Sequence, residues 1–312
     1  MDHNGEAEAF YRSLIGRQVR VGMEATGGTR WFERLLAECG HELWIGDPAR
    51  IRAAAPRKQK TDKRDADLLL ELLLQGEKNF PRLTLPTVEQ RDLRQLLLHR
   101  HRLVQMRTRV KNQLQALAMN QGVRQKSRLW SEKGRAQLQA LELMPWGQQR
   151  RDDLLQLLDQ LEQRIAPLDR AVRQQAESRS EVRRMMTQPG VGPVVALAYQ
   201  LTILDPLRFA TSRKLTSYLG LIPTEDSSGG KQRLGHISKQ GNAMLRGLLV
   251  EAAHVAVRFE PRWRRHYLRL TMKKNRSIAI VAIARKLAVR LWWMWKLGLD
   301  YRQIVESGSH AE

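Results

Sequence analysis

The chain is short of cysteine, of acid and of uninterrupted apolar runs, and each shortage removes a class of protein. Cys39 is the only cysteine in 312 residues, which excludes an internal disulfide and any multi-cysteine zinc site. A reducing cytoplasm is the simplest compartment for such a chain. Acids number 32 against 54 lysines and arginines, a net charge of +22. The excess is spread along the chain and not gathered in a tail, so it describes a folded surface that attracts a polyanion. Nucleic acid is the leading partner, with an anionic membrane surface the weaker one. No signal peptide is visible, since the opening MDHNGEAEAF is polar and acidic. The most apolar late stretch, Ile278 to Leu299, carries Arg285, Lys286, Arg290 and Lys296. It reads as an amphipathic helix and not a membrane span, so no membrane is expected among the partners. Aromatics are only 6% of the residues. For Trp263, Trp292, Trp293 and Trp295, core packing outweighs base stacking.

What is present falls into an order. The run Gln18 to Thr26 reads as a strand entering a turn at Gly27 and Gly28. A helix, WFERLLAECG, follows and is closed by Gly40; a second strand, His41 to Asp47, stops at Pro48. Strand, helix, strand at this spacing predicts an α/β unit with parallel pairing. After Pro56 a basic segment passes into a helix that Thr61 or Asp62 can cap. Residues 87–120 and 152–172 carry leucine and valine near helical spacing, predicting two long helices in a hairpin or coiled coil. A less regular segment around Trp130 to Trp146 joins them. Past Ser180, Gly190-Val191-Gly192 stands between apolar helical runs. Such a turn between short helices exposes backbone N–H groups at a helix start, where phosphate contact and plain tight turn are equally good readings.

Two groups of residues carry candidate chemistry. Glu24 ends a strand, while Asp62 and Asp65 open a helix with i, i+3 spacing that puts both on one face. Clustered carboxylates in a cationic protein suit divalent metals that assist phosphodiester chemistry. The plainer reading has the two aspartates capping the helix and pairing with Lys60, Lys63 and Arg64. The second group is Ser227 to Arg246, SSGGKQRLGHISKQGNAMLR. Adjacent serines and glycines are surrounded there by Lys231, Arg233, Lys239, Arg246 and, if protonated, His236. Glycine lets a backbone approach a bulky ligand, and the cations suit a phosphodiester. An apolar segment with a turn, Tyr218 to Pro223, leads in, and a strongly helical run, Asn242 to Val257, leads out.

Taken together, VGMEATGG (Val21 to Gly28), KTDKRDADLL (Lys60 to Leu69), GVGPVVA (Gly190 to Ala196), Tyr218 to Arg246 and AIVAIARKLAVRLWWM (Ala279 to Met294) resemble one family. It is the DEDD transposases of insertion sequences, which include the bridge-RNA-guided recombinases and the Piv DNA invertase. The segments occur in the family's order over nearly the whole chain from residue 21. The resemblance implies an RNase H-like (RuvC-type) α/β domain over 1–80 and a helical coiled-coil arm over 81–180. Over 181–312 it implies a mainly α transposase domain with a helix-hairpin-helix-like G-x-G turn. It implies Glu24, Asp62 and Asp65 as metal-binding acids, served by Mg²⁺ or Mn²⁺. Ser228, with Ser227 as alternate, is implied as a nucleophile that links transiently to DNA, and a serine hydroxyl needs such activation. The implied partners are DNA, a guide RNA and further copies of the chain, as a dimer or tetramer. The family's first acid sits on an opening strand well upstream of the glutamate, and only 23 residues precede Glu24. None of them reads as that strand, so the expectation is an N-terminally short chain with the acids reduced to Glu-Asp-Asp. Two other functions compete with an active recombinase: a nucleic-acid-binding remnant, and an RNase H-like nuclease using metals alone.

Overall fold

The apolar residues of RVGME and the continuous apolar run Leu43–Trp44–Ile45 in ELWIG form strands β1 (Arg20–Glu24) and β2 (Glu42–Gly46), which pair in parallel with Arg20 opposite Glu42 and Glu24 opposite Gly46. The structure is a computed structural model that describes residues 5–54, 61–123, 128–225 and 234–307. Its chain divides into two compact units, Met1–Leu85 and Pro86–Glu312.

In the first unit, helix α1 (Glu6–Ser13) precedes β1, and α2 (Arg30–Glu38) makes the crossover to β2. The predicted parallel strand–helix–strand unit is therefore present. The second strand does end before Pro48, and Pro48 also opens a short helix not expected from the sequence, α3 (Pro48–Ala54). That is the position where proline's missing N–H costs nothing. Helix α4 (Asp62–Leu74) is capped by Thr61, whose hydroxyl accepts from the Arg64 backbone N–H at 3.3 Å. Its core is small: Trp44, Ile51, Leu72 and Phe80 are buried, with Leu68, Leu69 and Leu73 packed against them. Gly46 packs closely there: a Cβ would stand 2.7 Å from Ile51 Cδ1 and 3.2 Å from the Phe80 ring, so both side chains would have to shift to admit one. Glu42 accepts from Arg20 and from the Trp44 indole N–H, both at 2.6 Å. These two bonds hold the Glu42 carboxyl below its ordinary range.

The second unit begins with α5 (Val88–Asn120), opened by a reciprocal Thr87–Gln90 capping box. Its partner is α7 (Pro145–Glu177). The pairs Arg100–Asp169 and Lys111–Glu162 climb α5 while descending α7, so the two helices run antiparallel. At about 1.5 Å per residue each is about 50 Å long. Toward one end, Leu103, Val110, Leu114, Leu155, Leu158 and Leu161 form a core with Leu129 and Leu138. Leu138 belongs to α6 (Glu132–Gln139), a helix inside the stretch expected to be less regular. Toward the other end, Leu93, Leu97, Val172 and Ala176 enter the main core.

That core is built from α8 (Ser180–Met186), α9 (Pro193–Ile203), α10 (Ser212–Tyr218), α11 (Ala243–Phe259), α12 (Pro261–Thr271), α13 (Arg276–Leu297) and α14 (Tyr301–Glu306). α9 is buried over most of its length, and its Tyr199 donates to the Ala288 carbonyl of α13 at 2.7 Å. The only other sheet among the described residues is a two-stranded antiparallel one, β3 (Pro223–Glu225) with β4 (Leu234–Ile237). Among the described residues, no helix is long and apolar enough to cross a membrane.

Candidate active site

The expected acids lie on the first unit. Glu24 is the last residue of β1, half-buried, with one carboxylate oxygen 3.8 Å from the Arg52 guanidinium. Asp62 and Asp65 occupy the first turn of α4, Asp62 exposed and Asp65 half-buried. They stand where the positive end of the helix dipole favours a negative charge. Carboxylate oxygens are the right donors for a hard divalent cation. The geometry does not match that chemistry. Among the described residues, no three of the His, Cys, Asp and Glu side chains converge to hold a metal. Glu24, Asp62 and Asp65 as placed therefore do not fit a formed metal centre.

On the second unit, Ser227, Ser228, Lys231 and Arg233 lie outside the described residues. What frames them in sequence is described in detail. Their segment joins β3 to β4, an antiparallel pair in which Thr224 Oγ1 donates to the His236 carbonyl at 3.1 Å. Below that pair the two chain segments are clamped backbone to backbone. Gly220 has φ +66, and a Cβ on it would collide with the Gln240 carbonyl oxygen and nitrogen. Gly241, at φ +71, would likewise strike the Tyr218 carbonyl oxygen. The Lys239 N–H donates to the Gly220 carbonyl at 3.2 Å, and the Ser238 N–H to the Ile222 carbonyl at 2.8 Å. Lys239 itself takes a left-handed backbone, φ 54, unusual for a side chain with a Cβ. Asn242 then caps α11, accepting from the Leu245 N–H at 3.0 Å. Arg246, one turn on, donates to the Gln240 carbonyl and so ties the helix start to the clamp. Both glycines stand in the motif read from sequence, but the clamp joins residues about twenty apart, which spacing alone does not reveal. The short strand LGHI was missed for a similar reason, since four residues with a glycine carry little strand signal.

Gly190 and Gly192 have different surroundings. Gly190 is left-handed at φ +90, and a Cβ would run into the Ala252 carbonyl oxygen of α11. Close approach of the turn to a helix is thus enough to require glycine there. Gly192 is extended, caps the start of α9 and has open space around its Cα. The tryptophans follow the packing reading. Trp263 and Trp292 are 5% and 1% exposed. The Trp292 indole N–H donates to the Pro206 carbonyl at 2.8 Å, and Trp293 and Trp295 pack partly buried on the same core.

Comparison with known proteins places this geometry. Residues 182–268 match the family described as transposase IS116/IS110/IS902, and residues 3–120 match the DEDD transposase domain of IS110 type. Together the matches take in about two thirds of the chain. The chain belongs to the IS110/IS116 family of transposases. Relatives extend over most of its length. The chain is 29% identical to a probable family 20 transposase of Pseudomonas aeruginosa over 310 residues, covering 94% of this chain and 88% of the relative. It is 29% identical to the transposase for insertion sequence element IS1111A of Coxiella burnetii, over 94% and 83% of the two chains. The transposase for insertion sequence element IS1328 of Yersinia enterocolitica is 27% identical over 75% of this chain and 70% of the relative. On this IS110/IS116 chain the DEDD match spans the first unit and α5, consistent with an RNase H-like fold. The other match runs from α8 into α12 and so contains the glycine clamp, both strands and the capped start of α11.

Proposed function

We propose that this protein cuts and rejoins DNA to move an insertion sequence, with Ser228 as nucleophile and Ser227 as the alternate. The observation that carries the reading is the clamp. Gly220 and Gly241 bind the entering and leaving segments backbone to backbone around a stretch that contains both serines. A nucleophile needs its approach to a phosphorus set within a fraction of an ångström, and rigid flanks are how a chain achieves that. In this reading the serine oxygen attacks the phosphorus, the bond to one deoxyribose oxygen breaks, and the serine holds the DNA end as a phosphodiester. The attack of a second strand's hydroxyl on that phosphorus restores the free serine. Lys231, Arg233, Lys239 and Arg246 neutralise phosphate around the reacting group, and the helix start at Gly192 contributes backbone N–H groups.

The DEDD domain points to divalent metal, and Mg²⁺ or Mn²⁺ is the ion this reading prefers for Glu24, Asp62 and Asp65. Because those acids do not converge as placed, no step is assigned to the ion. RNA guidance and assembly into a dimer or tetramer are further parts of the proposal, supported by the family resemblance and by the net charge of +22. The test is covalent capture. Full-length protein incubated with its element's end sequences should form a denaturant-stable protein–DNA adduct. Ser228→Ala should abolish it while leaving DNA binding intact, and Ser227→Ala should spare it. Continued cutting by the double alanine variant would instead establish a nuclease in which the serines have no chemical role.

A further inference from the structure

Between Glu260 and Asp300 the chain has no acidic residue and eleven lysines and arginines. Seven of the eleven fall between Arg262 and Arg276, on α12 and the turn into α13, and all seven are exposed. The rotation of α12 is fixed by what it buries: Trp263 is buried, and Tyr267 and Leu270 pack partly buried on the main core. Arg265 and Arg269 therefore share the outward face at i, i+4, and Lys273 continues the row just past the helix end. Glu260, the nearest acid in sequence, is already committed. It caps α12 by accepting from the Arg262 N–H at 3.2 Å, and it bonds the Tyr301 hydroxyl. Among the described residues, no carboxylate forms an ion pair with Arg264, Arg265, Arg269, Lys273, Lys274 or Arg276. The α5–α7 hairpin differs in being mixed: its Arg100, Lys111 and Arg151 pair with Asp169, Glu162 and Asp152, beside exposed arginines such as Arg102, Arg109 and Arg164.

We infer that the exposed face of α12, with the turn into α13, is a docking surface for the phosphate backbone of duplex DNA. This rests on the DNA reading above and adds a surface that the serine segment does not supply. A duplex fits better than a single strand because the patch has no ring openly exposed to unstacked bases, His266 and Tyr267 being half-buried. Its exposed apolar side chains are Leu268, Met272 and Ile278, while Trp263 is turned into the core. The row from Arg265 to Lys273 is about 12 Å long, roughly the rise of three to four nucleotides of one strand. Side chains with no competing acid contribute their full charge to release of counterions from the duplex.

The test uses the full chain and a mixed-sequence DNA duplex, with affinity followed as a function of salt. The triple variant Arg265→Ala, Arg269→Ala, Lys273→Ala should lower the slope of log affinity against log salt by roughly 3 and weaken binding at least tenfold at about 0.1 M salt. Removing equal charge from the hairpin, with Arg102→Ala, Arg109→Ala and Arg164→Ala, should change both much less. The double variant Arg265→Lys, Arg269→Lys should keep the wild-type slope, separating charge from any loss of fold. Equal losses in the two triple variants would overturn the inference in favour of diffuse attraction. A patch variant that binds duplex like wild type removes this surface and leaves the DNA reading standing. A wild-type chain that ignores duplex DNA defeats both. A patch variant that loses a matched single strand or an RNA hairpin, yet keeps duplex DNA, overturns the choice of occupant.

Discussion

The two units of this transposase hold their candidate functional groups in opposite ways. In the first, the apolar strand β1 is at most half-buried, the core is a handful of side chains, and Glu24, Asp62 and Asp65 sit at or near the surface. In the second, α9 and α13 are buried along much of their length, and three left-handed glycines press against other backbone. Protein interiors at that density allow little displacement, whereas a two-stranded sheet with few buried contacts opens readily. Positional accuracy therefore lives in the second unit, where the serine segment is anchored. The acids of the first unit are held loosely by comparison, in keeping with their failure to converge.

The comparison breaks most visibly if large truncations cost the same on both sides. Trp292→Ala removes a side chain that is 1% exposed and bonded to Pro206, and should cost roughly 3–5 kcal/mol. Leu72→Ala in the small first-unit core should fall near the lower end of the roughly 2–5 kcal/mol range. Chemical denaturation should accordingly show two transitions, with the first unit melting earlier. Next in size are the glycines. Gly190→Ala and Gly220→Ala combine left-handed strain of about 1–2 kcal/mol with collision against rigid backbone, for a total on the order of 3 kcal/mol or more. Gly28 has the same backbone sign, φ +81, but open space around it. Gly28→Ala should show only the strain, about 1–2 kcal/mol. Equal losses at Gly28 and Gly190 would mean that packing against α11 adds nothing.

The contrast also explains what could be read in advance. Periodic features came through: the leucine stripes of α5 and α7, the parallel β1–β2 pair around α2, the Thr61 cap and the Asn242 helix. Each is written in residues close together in sequence. What escaped notice depends on contacts between distant residues or on very short elements. The Gly220–Gly241 clamp and the Gly190–Ala252 approach are tertiary facts. β3 and β4 are too short to show alternation, and Pro48 marks a helix start as readily as a stop. The acids were recognisable as residues, but their spacing along α4 said nothing of whether Glu24 would meet them. Intrinsic fluorescence sharpens one inherited expectation. In a Trp31→Phe, Trp146→Phe background, which removes the two most exposed tryptophans, saturating duplex DNA should change emission little, and strong quenching would mean that the partly exposed Trp293 or Trp295 meets bases.

The smallest expected effect bears on the looser unit. Arg52 stands 3.8 Å from Glu24, with side chains 79% and 38% exposed. Pairs this open contribute about 0–1 kcal/mol, so Arg52→Ala should leave stability within about 0.5 kcal/mol of wild type. The same change should be felt by a cation. Arg52 competes for the Glu24 carboxylate, and each kcal/mol of competition is worth about fivefold in affinity. Titrating Mn²⁺ into the full chain by calorimetry, without DNA, should reveal weak binding, because no three acids converge as placed. Arg52→Ala should tighten it by up to about fivefold, and adding Glu24→Gln should remove the gain. Tight Mn²⁺ binding by the unaltered chain, insensitive to Arg52, would show that the acids close into a centre with Glu24 outside it.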